Sequence, residues 1–208
     1  MTPALEPITL EGRMVRLEPL SIGHVPALCD VALDPDLWRW TGTLIRGVED
    51  MRTYVETALG EAAHGAALPF AIVASSVGRA VGSTRYGNIA LEHRRLEIGW
   101  TWLGRAWQRT PLNTECKYLL LRHAFEVLDC LRVEFKTDAL NSRSRAALQR
   151  IGAVEEGTLR QHMIAPSGRL RDTVYYSILN GEWPEVKRRL ELKLAQPFAH
   201  QPSSRATS

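Results

Sequence analysis

No stretch of this chain approaches the ~20 consecutive apolar residues that a helix needs to cross a bilayer, so a membrane span is not expected. Nor does it open on a basic patch followed by an apolar run, since Met1 to Pro7 holds one acid and two prolines. A secretory leader is therefore not expected, and a cytoplasmic protein is. Cysteine is scarce: Cys29, Cys116 and Cys130 are odd in number and lack ligand spacing. That argues against a disulfide framework and against a metal site. Charge of one sign is also scarce, with 26 Lys and Arg against 23 Asp and Glu for a net charge of +3. A domain that reads nucleic acid gathers far more Lys and Arg; only the isoelectric point near 8.9 points that way. An anionic small molecule suits so mild an excess equally well.

What is present is ordinary globular material. Of 208 residues, 45% are hydrophobic and 24% charged, enough to bury a sizeable core. The stretch from Gln196 to Ser208 has no apolar periodicity and is rich in Ser, Pro and Gln, so residues 196–208 read as a disordered tail and 1–195 as one domain. No internal repeat is visible.

Periodicity gives the order of elements. Met14 to Leu17, ending at Pro19, reads as a first strand. Ser21 caps a helix carrying Ile22, Val25, Leu28 and Cys29, closed by Asp34-Pro35. Glu49 to Ala63 repeats Met51, Val55, Ala58 and Leu59 at helical spacing. Strands Phe70–Ala74 and Ala80–Arg85 flank the turn Ser75-Ser76-Val77-Gly78, and Arg95–Trp100 is a further strand. A helix over Asn113–Leu128 precedes the clean alternation of Leu131–Thr137. Asn141 or Ser142 caps a helix that closes on Gly152. A hairpin then pairs Leu159–Ile164 with Thr173–Leu179 around Pro166-Ser167-Gly168, and Glu182–Leu194 forms a closing helix. The fold class is mixed α/β (α+β), with strand runs too short and irregular for a doubly wound sheet.

The chemistry concentrates in two places. Glu97 to Thr114 runs strand, loop, helix start, and a helix start offers unpaired N–H groups and partial positive charge to a phosphate. Such a junction alone does not specify a ligand. The second place is Asn141-Ser142-Arg143-Ser144, opening a helix behind a strand. Taken together, Glu97-Ile98-Gly99-Trp100, Thr114-Glu115-Cys116, the Asn141-x-x-Ser144 element, Gly152 and Arg171-Asp172 resemble the GNAT N-acetyltransferases, in the branch of the RimJ- and RimL-like ribosomal-protein N-terminal acetyltransferases. The likeness runs from about Leu10 to Trp183.

The resemblance implies the GNAT fold: a central twisted, mostly antiparallel sheet, splayed in the middle and flanked by helices. It implies acetyl-CoA as cosubstrate, with pantetheine along Gly99, Trp100, Thr101 and Trp102, and pyrophosphate on the N–H groups of Gln108, Arg109, Thr110, Pro111, Leu112, Asn113 and Thr114. Asn141 and Ser144 would complete the cofactor site. Direct attack by a primary amine, of a protein N-terminus or of a small molecule, is the implied reaction, without metal. Glu97 is the candidate general base, its competing role being a surface pair with Arg94, Arg95 or Arg16. Ser144 is the candidate for assisting the departing thiolate, its competing role being a helix cap. Trp38, Trp40, Trp100, Trp102 and Trp107 line an acceptor pocket or are simply core, and Arg143, Arg145 and Lys117 meet the 3′-phosphate or a solvated face. The acceptor would lie between Leu33–Arg46 and the Ile164–Leu170 hairpin.

In one respect the sequence departs from the family. Its phosphate loop places Pro111 and Asn113 where the family carries glycine. Proline has no N–H to give, and Asn113 is expected to tolerate a left-handed backbone and to cap the helix. The alternative function is a non-catalytic acyl-CoA-binding or regulatory module of the same fold. Neither nucleic acid nor membrane is expected as a partner, and dimerisation stays open, although members of the family often pair as homodimers.

Overall fold

The computed structural model describes residues 6–165 and 167–196. The tail expected over 196–208 lies outside these residues except for Gln196, and so does Pro166 of the expected hairpin turn. Eight strands form one sheet: β1 (Leu10–Glu11), β2 (Val15–Pro19), β3 (Leu68–Ala74), β4 (Arg79–Ala90), β5 (Arg95–Leu103), β6 (Arg132–Asp138), β7 (Val154–Ile164) and β8 (Leu170–Leu179). Their spatial order is β1-β2-β3-β4-β5-β6-β8-β7. Every neighbouring pair is antiparallel except β5 and β6. Five helices flank the sheet: α1 (Val25–Ala32), α2 (Val48–Ala63), α3 (Leu112–Glu126), α4 (Ser142–Ile151) and α5 (Trp183–Ala195).

The sheet has a core on each face. Under α3 and α5 lie Phe70, Tyr86, Ile98, Leu120, Phe135 and Tyr176; under α1 and α2 lie Leu28, Met51, Val55, Val73 and Trp102. β3 is buried along its whole length, as its unbroken run Leu-Pro-Phe-Ala-Ile-Val-Ala requires. Phe70 meets Tyr86 edge to face at 5.7 Å, and the Tyr86 hydroxyl donates to the Leu120 carbonyl at 2.6 Å, tying β4 to α3. Glu115, in the first turn of α3, accepts from the backbone N–H groups of Arg13, Met14 and Val15 and so holds the β1–β2 turn against the helix. A Cβ on Gly12 would sit 2.7 Å from that carboxylate, which is why the turn passes there on glycine.

The elements fall where periodicity expects them, with differences in extent: β5 runs on to Leu103 and β8 starts at Leu170 rather than Thr173. β1 is too short for a pattern to reveal. β4 runs to Ala90 rather than stopping at Arg85, because Asn88 turns through a left-handed φ of 46° and the register with β5 slips between Gly87 and Ala90. β7 starts at Val154, five residues before its expected start at Leu159, and carries a similar slip, with Gln161 at φ 50°. The Asn141 cap is present, its side chain accepting from Ser144 N at 3.0 Å, and Gly152 closes α4 at φ 96°.

Candidate active site

β5 and β6 run side by side only over Arg95–Glu97 and Arg132–Glu134. Beyond Glu97, β5 stays with β4 and leaves β6, so Ile98 to Leu103 border a gap in the sheet. Gly99 pairs with Arg85 and Trp102 with Ser83, so Trp100 and Thr101 together oppose Thr84; Trp100, at φ 48°, is the residue that takes up the bulge. The two strands are parallel, so both of their C-terminal ends lie at the open end of the gap. The helix after each, α3 and α4, therefore begins there too. This is the place where open α/β sheets bind ligands and where helix N-termini favour phosphate.

Glu97 stands at the point of parting. It is 2% exposed, and its Oε2 lies 3.0 Å from Lys136 Nζ and accepts from Asn88 Nδ2. Burial raises its pKa above the ordinary carboxylate value, while Lys136 and Asn88 pull it back. A carboxylate with a raised pKa is a stronger base, which suits removal of a proton from an amine. The surface pairs weighed for it do not form: Arg94 pairs with Asp129, Arg95 with Glu134 and Arg16 with Glu18. A Cβ on Gly99 would come within 2.8 Å of Glu97 Oε1, so the carboxylate lies directly against the backbone of Gly99.

On the opposite face of β5, under α3, sits Lys117. Its Nζ donates to Thr101 Oγ1 at 2.6 Å, and Thr101 Oγ1 in turn lies 2.7 Å from Thr84 Oγ1. The Phe135 ring lies 5.9 Å from Nζ. Burial pulls the Lys117 pKa down to about 8. Lys117 is thus turned inward and is not on a solvated face, which corrects its expected reach toward a 3′-phosphate. Arg145 is partly exposed, donating to the Tyr176 hydroxyl and to Glu155.

The phosphate loop also differs from expectation. The residue in left-handed geometry is Arg109, at φ 59°, and Asn113 is neither left-handed nor the cap. Pro111 adopts φ −65° and ψ −13°, already helical, so the first turn starts before Asn113 and closes with Glu115 N on Pro111 O at 2.9 Å. Thr110 Oγ1 braces the entry, donating to Trp107 O and lying 3.4 Å from Leu112 N. Of the seven residues expected to offer N–H groups, Pro111 has none, Gln108 spends its own on Arg105 O and Leu112 donates to Thr110 Oγ1. The Gln108 side chain meanwhile donates to Leu103 O. Asn113 and Thr114 precede the first closed turn and have no intrahelical acceptor.

At the start of α4, the Asn141 side chain makes the cap and Ser144 supplies its N–H, leaving the Ser144 hydroxyl outside it. The tryptophans divide. Trp38 and Trp102 are core, packed at 5.1 Å and joined by Tyr54, and Trp107 packs against the core from its edge. Trp100 is 41% exposed, covers Gly87, and lies between the guanidinium of Arg85 at 5.0 Å and the ammonium of Lys136 at 5.8 Å. Arg85 itself is buried, paired with Glu61 at 2.7 Å, and its Nε has no partner. Sequence reasoning passed over Arg85 and Lys136. The polar alternation of Glu134, Lys136 and Asp138 along β6 was the signal that a charged face lies beside Glu97. Among the described residues no cluster of His, Cys, Asp and Glu could hold a metal ion, and no helix is long and apolar enough to cross a membrane.

Comparison with known proteins adds to this geometry. The profile of the acetyltransferase (GNAT) domain matches residues 14–154. A Bacillus subtilis (strain 168) protein provisionally named as a ribosomal N-acetyltransferase, YdaF, is 35% identical over 100 residues. That alignment takes in 48% of this chain and 54% of YdaF, so it spans about half of that relative. A solved GCN5-related N-acetyltransferase from Brucella melitensis is 30% identical with a TM-score of 0.87, covering 93% of this chain and 88% of its own. The structure of Mycobacterium smegmatis RimJ in complex with CoA-disulfide is 25% identical with a TM-score of 0.79, covering 93% and 97%.

Proposed function

The chain belongs to the GNAT acetyltransferase family, and on that premise we propose that it transfers the acetyl group of acetyl-CoA to a primary amine, that of a peptide N-terminus or of a small molecule. The observation that carries the proposal is the parting of β5 from β6 at Glu97, with a buried carboxylate of raised pKa at its apex and two helix N-termini at its open end. The CoA-disulfide named with RimJ supports the cofactor, and the name given to YdaF supports a peptide acceptor.

The residues divide the work as follows. The free edge of β5 from Gly99 to Trp102 pairs with the pantetheine amides. The N–H groups of Asn113 and Thr114, with Arg109 and Thr110 shaping the loop, hold pyrophosphate. Asn141 positions the cosubstrate from α4. The amine nitrogen attacks the acetyl carbonyl carbon, the C–S bond breaks, and the proton shed by the amine passes to Glu97, directly or through water. Ser144 hydrogen-bonds the departing thiolate.

Thermal unfolding with and without millimolar acetyl-CoA, followed by a screen of amines for thiol release, tests this reading. Acetyl-CoA raises Tm by binding only the folded state, and at least one amine accelerates thiol release. An unmoved transition refutes cofactor binding. A raised Tm with no turnover on any amine favours instead the non-catalytic acyl-CoA module, for which Pro111 and the occupied Gln108 N–H are the supporting features.

A further inference from the structure

The α1–α2 connection and the β7–β8 hairpin meet over the C-terminal end of β6. Between them is a small, partly open surface hollow of about 20 Å³, lined by Arg39, Trp40, Asp138, Met163, Arg169 and Arg171 among others. Its charges do not balance. Asp138, 1% exposed, is already satisfied: Oδ1 accepts from Leu140 N at 2.9 Å and Oδ2 from Arg169. Arg171 Nε lies 4.0 Å from the same oxygen and is buried with no hydrogen-bond partner. Arg39 and Arg169 stack on Trp40 at 5.0 and 5.4 Å, and Arg39 has no carboxylate partner among the described residues. The other carboxylates of this sheet face are taken, Glu97 by Lys136 and Glu134 by Arg132 and Arg95. The hollow therefore presents an excess of positive charge and one orphaned guanidinium N–H, a poor seat for a cation and a good one for a carboxylate.

Its distance from the reacting end narrows the ligand further. Lys136 touches Glu97 at 3.0 Å, and Asp138 is the next residue of β6 on the same face, about 7 Å along the strand. A free α-amino acid, with its carboxylate two bonds from the amine nitrogen, cannot span that interval. A peptide can, because successive Cα atoms are about 3.8 Å apart and the second or third side chain reaches the hollow. We propose that the acceptor is a peptide N-terminus carrying Asp or Glu at its second or third residue, the amine at Glu97 and the side-chain carboxylate between Arg39 and Arg171. This rests on the acetyltransferase reading above and adds the acceptor's chemistry to it.

Peptides identical except for Asp, Asn or Lys at position 2, and a second set varied at position 3, are compared at saturating acetyl-CoA by thiol release. Free aspartate and glutamate are run alongside. In one of the two sets the Asp peptide is used about tenfold better than Asn, chiefly through KM, and Lys is worst. Arg39→Gln, at an exposed position, abolishes that preference, so that Asp and Asn peptides are used alike; Arg39→Glu inverts it. Equal use of Asp and Asn in both sets, a preference for Lys, or better use of the free amino acids overturns the proposal. Calorimetric titration of the same peptides into CoA-saturated protein separates the two readings. If no peptide is acetylated but Asp still binds more tightly than Asn in the parent alone, the pocket stands and the transfer reading falls. Turnover of other amines without any acidic preference in binding removes the pocket alone.

Discussion

The two halves of the sheet are built on different terms. From β1 to β4 the strands are sandwiched, with α1 and α2 on one face and α3 on the other, and Phe70, Ala71, Ile72 and Ala74 have no exposed surface. From β5 to β8, the face bearing Glu97, Lys136 and Asp138 has charged side chains where the other half has a helix, and β7 is exposed throughout. Apolar burial holds the first half together. The second holds its face by ion pairs, which contribute less to stability but leave oriented charge beside the gap. Stability and chemistry are thus divided along the sheet, and substitutions at five positions test the division.

The largest effect falls in the sandwiched half. Phe70→Ala removes a fully buried ring packed against Tyr86 and costs about 3–5 kcal/mol of stability by urea denaturation, with little change in turnover per folded molecule. A loss below about 1 kcal/mol would show that this half is not the stable one.

Lys117 lies at the boundary and runs the other way. Its pKa of about 8 in the fold is below that of an unfolded lysine, so burying its charge costs stability in full below pH 8. That cost fades as pH rises from about 8 toward 10.4, where the unfolded chain also loses the proton. Lys117→Met is accordingly more stable than the parent by about 3 kcal/mol at pH 7, and denaturation at pH 7, 8, 9 and 10 shows the gap closing. A gap independent of pH would mean that the amine is not held in an apolar site.

In the open half, Glu97→Gln lowers turnover about a hundredfold at neutral pH with cofactor affinity little changed. The parent loses activity as pH falls through the raised Glu97 pKa, and the variant lacks that acid limb. Equal rates from pH 5 to 9 would return Glu97 to a structural role.

The smallest effects are in the loop, at Arg109 and Asn113. Arg109→Gly is tolerated, because glycine reaches φ 59° freely. Arg109→Val costs about 1 kcal/mol for the left-handed residue and weakens CoA binding. Asn113→Val, inside the helical turn, weakens CoA binding less than Arg109→Val by isothermal titration.

Much of this was legible in one dimension, for local reasons. The Asn141 cap and the Gly152 stop are written in residues three and eleven positions apart or fewer, and β6 declares itself by strict alternation of Val133, Phe135 and Thr137 with charged neighbours. The loop was less legible. Asparagine in place of glycine suggested that Asn113 takes the left-handed geometry, yet proline's preset φ started the helix early and moved the kink back to Arg109. Glu115 read as part of a motif at a helix start; that it holds a turn 100 residues earlier in the chain depends on how α3 packs against β2.

By itself, the sequence determined the succession of strands and helices, because apolar period and caps act over a few residues. It also determined the family, because several short motifs keep their order and spacing. Only the tertiary structure decided what the ionisable groups do. Glu97 and Lys117 lie on one strand and one helix, 20 positions apart, and their pKa values move in opposite directions. Both shifts come from burial, and the signs differ because burial favours whichever form is neutral. Which of the two faces the charged, open side and which lies beneath α3 is a property of the folded sheet, since desolvation depends on what surrounds a group in space.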